Sequence, residues 1–227
     1  MGKVRITTIS DTHTKHMELN GYLPGGDILI HAGDISNRGS NVDINEFCEW
    51  FESVDNYNTK IFIAGNHDFG FQIRAEEISQ IINSYKWINY LEDNWVTIDG
   101  IKIWGSPWQP EFYNWAFNLP RNGVELQQKW NMIDDDTDIL ITHGPAWGYV
   151  DKVVGRSESL GCELLTNRIL GFKPKIHICG HIHSGYGYTT NGDTHFINAS
   201  VLDERYEFTQ NPLTFDWDKS TNEIDFI

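Results

Sequence analysis

Cysteine is scarce in this chain: Cys48, Cys162 and Cys179 are the three among 227 residues, scattered and outside any CxxC spacing. That excludes a disulfide framework, argues against a structural zinc built on thiolates, and makes a reducing, cytoplasmic setting the expectation. Positive charge is scarce too. Seventeen Lys and Arg stand against 32 Asp and Glu, a net charge of −15, so a counterion-release grip on long nucleic acid is not expected. No run approaches the ~20 apolar residues of a membrane span, and Met1 leads into a polar-punctuated strand rather than a signal-peptide core. Gly2 fails the myristoylation pattern because Ile6 stands where Ser or Thr is needed. No linker, repeat, charge block or low-complexity tract cuts the chain, so one domain over residues 1–227 is the expected organisation, with 40% hydrophobic residues supplying its core.

What is present is a rhythm. Short apolar, β-branched runs (Val4 to Ile9, Asp27 to Ile30, Lys60 to Ala64, Asp138 to Thr142, Lys175 to Cys179) stop at polar loops, which places the chain in the α/β class. Ile44, Phe47, Phe51 and Val54 form one helical stripe, and Phe71, Ala75, Ile78, Ile82 and Tyr85 another. A third helix is expected to start near Gly161, carry Leu164, Leu165 and Ile169, and end at Gly171 before Pro174. Hairpin signals make the sheet content mixed: Trp95 to Ile98 turns at Asp99-Gly100 into Ile101 to Trp104, and Leu213 to Trp217 precedes Glu223 to Ile227.

The residues best able to bind metal follow the apolar runs. Asp11-Thr12-His13 comes after Ile9, His31-Ala32-Gly33-Asp34 after Ile30, Gly65-Asn66-His67-Asp68 after Ala64, His143 after Thr142, and Gly180-His181-Ile182-His183 after Cys179. Loops beyond the carboxyl ends of strands in an open α/β sheet line one edge, where ligand crevices form. A lone His near a strand end is more often a hydrogen-bonded core or surface residue than a ligand, but five such loops after five runs are hard to obtain by chance. The Gly before Asp34, Asn66 and His181 lets the backbone turn sharply at the strand end. Nitrogen and oxygen donors without thiolate suit Mn, Fe or Zn. Asp11, His13, Asp34, Asn66, His143, His181 and His183 are too many ligands for one ion; two divalent ions sharing one carboxylate would use them all, at the ~3.5–4 Å separation of two-metal hydrolases.

The motifs DTH at 11–13, GD at 33–34, GNHD at 65–68, THG at 142–144 and GHIH at 180–183 resemble, in order, those of the calcineurin-like metallophosphoesterases. WGSPWQPEFYNWAFNLPR (104–121), THGPAWGYVD (142–151) and the stretch from Gly180 to INAS at 197–200 resemble more narrowly the metallophosphoesterase-domain-containing branch first described from fetal brain, a small phosphodiesterase group. Some animal members of that branch carry Gly where this chain has His181, a change associated with weakened metal binding; this chain keeps the complete ligand set. The resemblance implies two packed mixed β-sheets flanked by helices, with Asp11, His13, Asp34 and His183 holding one ion and Asp34, Asn66, His143 and His181 the other. It also implies that His67 faces the scissile phosphate without binding metal, and that Asp68 orients the His67 ring.

Two divalent ions less two carboxylates and a bridging hydroxide leave the centre at about +1, matched to a phosphodiester monoanion, and the hydroxide would be the nucleophile. The expected reaction is hydrolysis of small phosphodiesters, with cyclic nucleotides the substrate class the branch implies. The alternatives are a phosphomonoester or protein phosphatase, for which the loops offer only Lys15, Arg38 and Lys152 as extra cations, and a metal-binding scaffold with negligible turnover. Asn66 and His67 are expected to contact substrate, and Trp147 is the candidate for stacking a base. The aromatic segment 104–117 reads as core under a long loop or as pocket wall. His31 is expected to be packed and hydrogen-bonded, His177 and His195 structural, and residues 185–192 a glycine-rich hairpin.

Overall fold

The computed structural model describes residues 2–227. In chain order its strands are β1 (Lys3–Ile9), β2 (Gly26–His31), β3 (Tyr57–Phe62), β4 (Asn89–Tyr90), β5 (Asn94–Ile98), β6 (Ile101–Ser106), β7 (Gln109–Pro110), β8 (Asn118–Leu119), β9 (Ile139–Thr142), β10 (Ile176–Cys179), β11 (Gly187–Thr190), β12 (His195–Asn198), β13 (Leu213–Asp218) and β14 (Glu223–Phe226). The helices are α1 (Asn41–Ser53), α2 (Phe69–Ile73), α3 (Ala75–Ile82), α4 (Val124–Asn131) and α5 (Glu163–Phe172).

Two six-stranded sheets carry the fold, ordered β14-β13-β1-β2-β3-β4 and β11-β12-β10-β9-β6-β5. Their inner strands are parallel (β1 to β4, and β6-β9-β10-β12), while β13, β14, β5 and β11 add antiparallel margins. The alternation of side chains along each strand decides the layering. Ile28, Ile30, Ile61 and Ile63 of the first sheet meet Ile139, Ile141, Ile176 and Ile178 of the second in one isoleucine-rich layer. The intervening positions point the other way: Leu29 and Phe62 pack with Phe47 and Phe51 of α1, and Leu140 and Phe196 with Trp130 of α4 and Leu165 and Ile169 of α5. The mixed two-sheet, helix-flanked α/β architecture expected from the sequence is the one observed.

Local signals place most of the elements. The Ser40 hydroxyl accepts the Asp43 N–H and caps α1. Asp99 and Gly100 both have positive φ, as a two-residue hairpin turn requires. The stripe from Phe71 to Tyr85 does not form one helix; it divides at Arg74 (φ −134°, ψ 40°) into α2 and α3. The third helix runs from Glu163, capped by Cys162, past Gly171 to Phe172, and the left-handed residue that ends it is Lys173. Helix α4 had no periodic signal, because only Leu126 and Trp130 of its eight residues are buried.

Since β1, β2, β3, β9 and β10 run parallel within their sheets, their following loops gather at one end. There the sheets touch: Ser10, after β1, bridges Ser200, after β12, and the Val201 N–H donates to the Ser10 carbonyl at 3.0 Å.

Candidate metal centre

All seven candidate ligands lie at this edge, five of them buried and His181 and His183 half-buried. Asp34 Oδ2 faces His143 Nε2 at 3.3 Å on one side and His13 Nε2 at 3.7 Å on the other. Asp11 Oδ1 lies 3.5 Å from His183 Nε2. Asn66 Oδ1 completes the set at 3.0 Å from His143 Nε2 and 2.7 Å from His181 Nδ1. Three triads can each gather donor atoms around one point: Asp11, His13 and His183; His13, Asp34 and His67; Asp11, Asp34 and His143.

The ring orientations are set from behind. His143 Nδ1–H donates to the Ala32 carbonyl at 2.9 Å and His183 Nδ1–H to the Asp203 carbonyl at 2.8 Å, so each turns Nε2 toward a carboxylate. Both ring nitrogens of His13 are buried without a hydrogen-bond partner, an arrangement that costs about 1–3 kcal/mol per group if nothing binds there. A buried imidazole lone pair between two carboxylates fits a divalent transition ion, and on this ground the donor set suits the ions the motifs imply.

Charge within the edge is arranged in opposed pairs. Burial would lower His143 and His183, but the Asp34 and Asp11 carboxylates push each up to about 9. Burial would raise Asp11 and Asp34, yet the facing histidines hold both well below the usual carboxylate range. Burial pushes His13 down to about 4 and His181 to about 3. Protons on His143 and His183 therefore supply the positive charge that an ion would bring, and the two compete.

Backbone strain concentrates here as well. Asp11, His13, Thr14, Asp34 and His181 all have φ between 43° and 67°, a left-handed conformation that costs a non-glycine residue about 1 kcal/mol or more. Gly65 and Gly180 serve by space rather than by a sharp turn: neither has positive φ, but a Cβ on Gly65 would strike the Asp34 carboxylate and one on Gly180 the Asp11 carboxylate.

Two substrate-side expectations need correction. Asp68 does not touch the His67 ring; its buried carboxylate accepts from Ile35 N, Ser36 N, Ser36 Oγ and Gly65 N at 2.6–3.1 Å and ties the loops after β2 and β3 together. The His67 ring is held instead by Nδ1–H donating to the Asn37 carbonyl at 3.1 Å and by stacking on Trp115, 3.9 Å between centroids. Trp147 does not line the cavity beside the ligands. Its N–H donates to the Cys162 carbonyl and its carbonyl accepts from Thr166, which ties it to the start of α5. The aromatic rings at the site are Trp115, Phe112, edge-on to His181 at 5.4 Å, and Tyr206, edge-on to His13 at 4.7 Å. Segment 104–117 is thus divided: Trp104 and Phe117 are core, while Phe112 lines the cavity.

His31 and His177 are buried and bond the hydroxyls of Thr12 and Thr142, each next to a candidate ligand. His195 Nε2–H donates to the Asn222 carbonyl, and the buried His16 packs on Phe47 and Trp50. The sequence reading passed over the segment after β12. Ser200 Oγ donates to Asp11 Oδ2 at 2.9 Å, and Asn198 Nδ2 reaches the Gly180 and Ile182 carbonyls at 3.3 and 2.9 Å. The INAS motif was the available signal, but nothing local says which residue it serves.

Residues 4–185 match the family model of the calcineurin-like phosphoesterases. The chain belongs to that family. Among curated calcineurin-like relatives it is 39% identical over 236 residues to human metallophosphoesterase domain-containing protein 1, covering 95% of this chain and 71% of that one. It is 37% identical over 238 residues to the UPF0046 protein C25E10.12 of Caenorhabditis elegans, covering 94% and 81%. The solved structure of TT1561 from Thermus thermophilus superposes with a TM-score of 0.67 at 12% identity, covering 99% of this chain and 98% of that one, a likeness of fold. For a calcineurin-like phosphoesterase the matched stretch is notable for where it stops: Ser200, Asp203 and Tyr206 lie beyond it and still contact the ligand residues. No helix among the described residues is long and apolar enough to cross a membrane.

Proposed function

We propose that this chain is a phosphodiesterase that holds two divalent transition ions, Mn, Fe or Zn, and hydrolyses small phosphodiesters, whose phosphoryl group is a monoanion, cyclic nucleotides among them. The observation that carries this reading is the inventory of charge around the cavity. The cavity holds about 440 Å³, and Asp34, Asn66, His67, His181 and His183 line it. None of Lys15, Arg38 and Lys152 does: Lys15 donates to the Tyr206 carbonyl, Arg38 lies over the Trp115 ring and Lys152 is exposed. Two arginines line the cavity, and one of them, Arg121, is committed to the Glu163 carboxylate and the Leu160 and Gly161 carbonyls. A phosphomonoester dianion would find little extra positive charge there, whereas a diester monoanion needs none.

Asp11, His13, Asp34 and His183 would hold one ion, and Asp34, Asn66, His143 and His181 the other, Asp34 being common to both sets. Bound ions supply Lewis-acid charge to the phosphoryl oxygens and lower the pKa of a water. His67 contributes as the imidazolium: Nδ1–H stays on the Asn37 carbonyl, and Nε2–H donates to a phosphoryl oxygen or passes its proton to the leaving oxygen.

The test is a panel assayed with manganese-loaded protein: bis(4-nitrophenyl) phosphate, 4-nitrophenyl phosphate, 2′,3′- and 3′,5′-cyclic nucleotides, a phosphopeptide and single-stranded DNA. Turnover of the aryl diester, measurable hydrolysis of cyclic nucleotides and little on the last two are expected. Monoester turnover well above diester turnover would replace this reading with a phosphatase, and no turnover with both sites filled would replace it with a scaffold.

A further inference from the structure

A cavity of about 440 Å³ is several times larger than a phosphate group, so most of it serves whatever the phosphate carries. Resting on the phosphodiesterase reading, we propose that the part walled by Phe112, Val153, Leu160 and Arg156 is a subsite for one ester substituent, a ring-sized apolar group bearing a carboxylate.

The wall is fixed relative to the metal ligands. The loop from Asp151 to Gly161 is closed at its base, where Asp151 Oδ2 accepts the N–H groups of Gly148 and Gly161, both at 2.9 Å, and Lys152 bridges Ser159. It is also tied to the residue after His183: Ser184 Oγ accepts from Val154 N and donates to the Lys152 carbonyl, both at 3.2 Å. Val153 and Leu160 are therefore presented to the cavity from a closed loop. Phe112 stands at the metal end beside His181 and is 46% exposed, so a ring entering the cavity buries apolar surface against it.

Arg156 sets the polar chemistry of this wall. Among the described residues its side chain makes no ion pair and no hydrogen bond, unlike Arg121 on the same cavity, and it answers no internal charge. Its planar fork matches a carboxylate bidentately. Glu111 and Glu204 also line the cavity and oppose any anion there, so a carboxylate would be held only through the Arg156 guanidinium.

The test compares two phosphinates that contain no ester bond, methyl(benzyl)phosphinate and methyl(4-carboxybenzyl)phosphinate, titrated calorimetrically into metal-loaded wild-type protein, Arg156→Met and Arg156→Glu. The carboxylate is expected to tighten binding about tenfold in the wild type, to add nothing in Arg156→Met and to weaken binding in Arg156→Glu. Equal affinities in the wild type, or a gain that survives both substitutions, would overturn the subsite. Turnover of bis(4-nitrophenyl) phosphate by the same samples separates the two readings. A full carboxylate effect without turnover overturns the reaction and leaves the subsite; turnover without the effect removes the subsite alone.

Discussion

The isoleucine layer between the sheets and the polar edge that closes it are built on the same strands and differ in nearly every physical respect. The layer is apolar and wholly buried, with each strand in ordinary extended conformation. Two to five residues beyond the strand ends, the edge carries five strained residues, opposed charges and an imidazole with no partner. The layer generates stability and the edge consumes it. Substitutions in the two regions should therefore be separable, those at the edge changing ion binding and rate with little loss of fold, those in the layer the reverse.

The largest effect should come from Asp34→Ala, which removes the carboxylate that two of the three triads share. Metal analysis should find both ions lost and activity at background, while far-UV circular dichroism shows the chain still folded. Retention of two ions would break the ligand assignment. Next, His67→Ala should keep both ions and lose rate by about 10²–10⁴, less for a nitrophenolate leaving group than for a poor one. Equal losses for both leaving groups would remove proton transfer from its role.

Ile141→Ala sharpens the comparison from the other side. It should cost about 2–5 kcal/mol in denaturant unfolding while the folded fraction still binds two ions. Ser200→Ala should weaken metal affinity by roughly 10–100-fold by calorimetry, with Ser200→Thr restoring much of it.

The smallest effect at neutral pH concerns His177, which burial pushes down to about 3. A histidine whose folded pKa is depressed favours the unfolded chain as pH falls, because the unfolded chain takes up the proton first. Its contribution is present above about pH 6.5 and is lost toward pH 3, amounting to about 2 kcal/mol between pH 6.5 and 5. Unfolding free energies measured across that range should fall less steeply in His177→Asn than in wild type. Identical slopes would show that His177 is not the group being protonated.

The buried parallel strands were legible because both faces are covered, so each reads as a continuous Ile-rich run, and the loops after them because Asp, Asn and His are unusual directly beyond such runs. The gathering of those loops at one edge follows from parallel pairing. What escaped depends on distance rather than on composition. The carboxylate of Asp68 is drawn to four donors of two loops, and its neighbour in sequence, His67, is held by Asn37 and Trp115. Trp147 follows the His143 loop, but its backbone bonds to Cys162 and Thr166 place it beside α5. Ser200 has no distinguishing neighbours and meets Asp11 only because the two sheets touch at Ser10.

Ile6 stands opposite Phe215 in the first sheet, and the segment leading to β13 carries Ser200, Asp203 and Tyr206 past the ligands on its way there. In folding terms this pairing joins two of the most distant parts of the chain, and contacts so far apart in sequence form slowly. The environment of Asp11, His13 and His183 is finished only when that closure is made. Chains that have not yet brought residues 200–206 against the loop after β1 lack the hydrogen bond on Asp11, the carbonyl that turns His183 and the ring beside His13. Ion uptake measured during refolding is expected to follow that late closure rather than the first collapse.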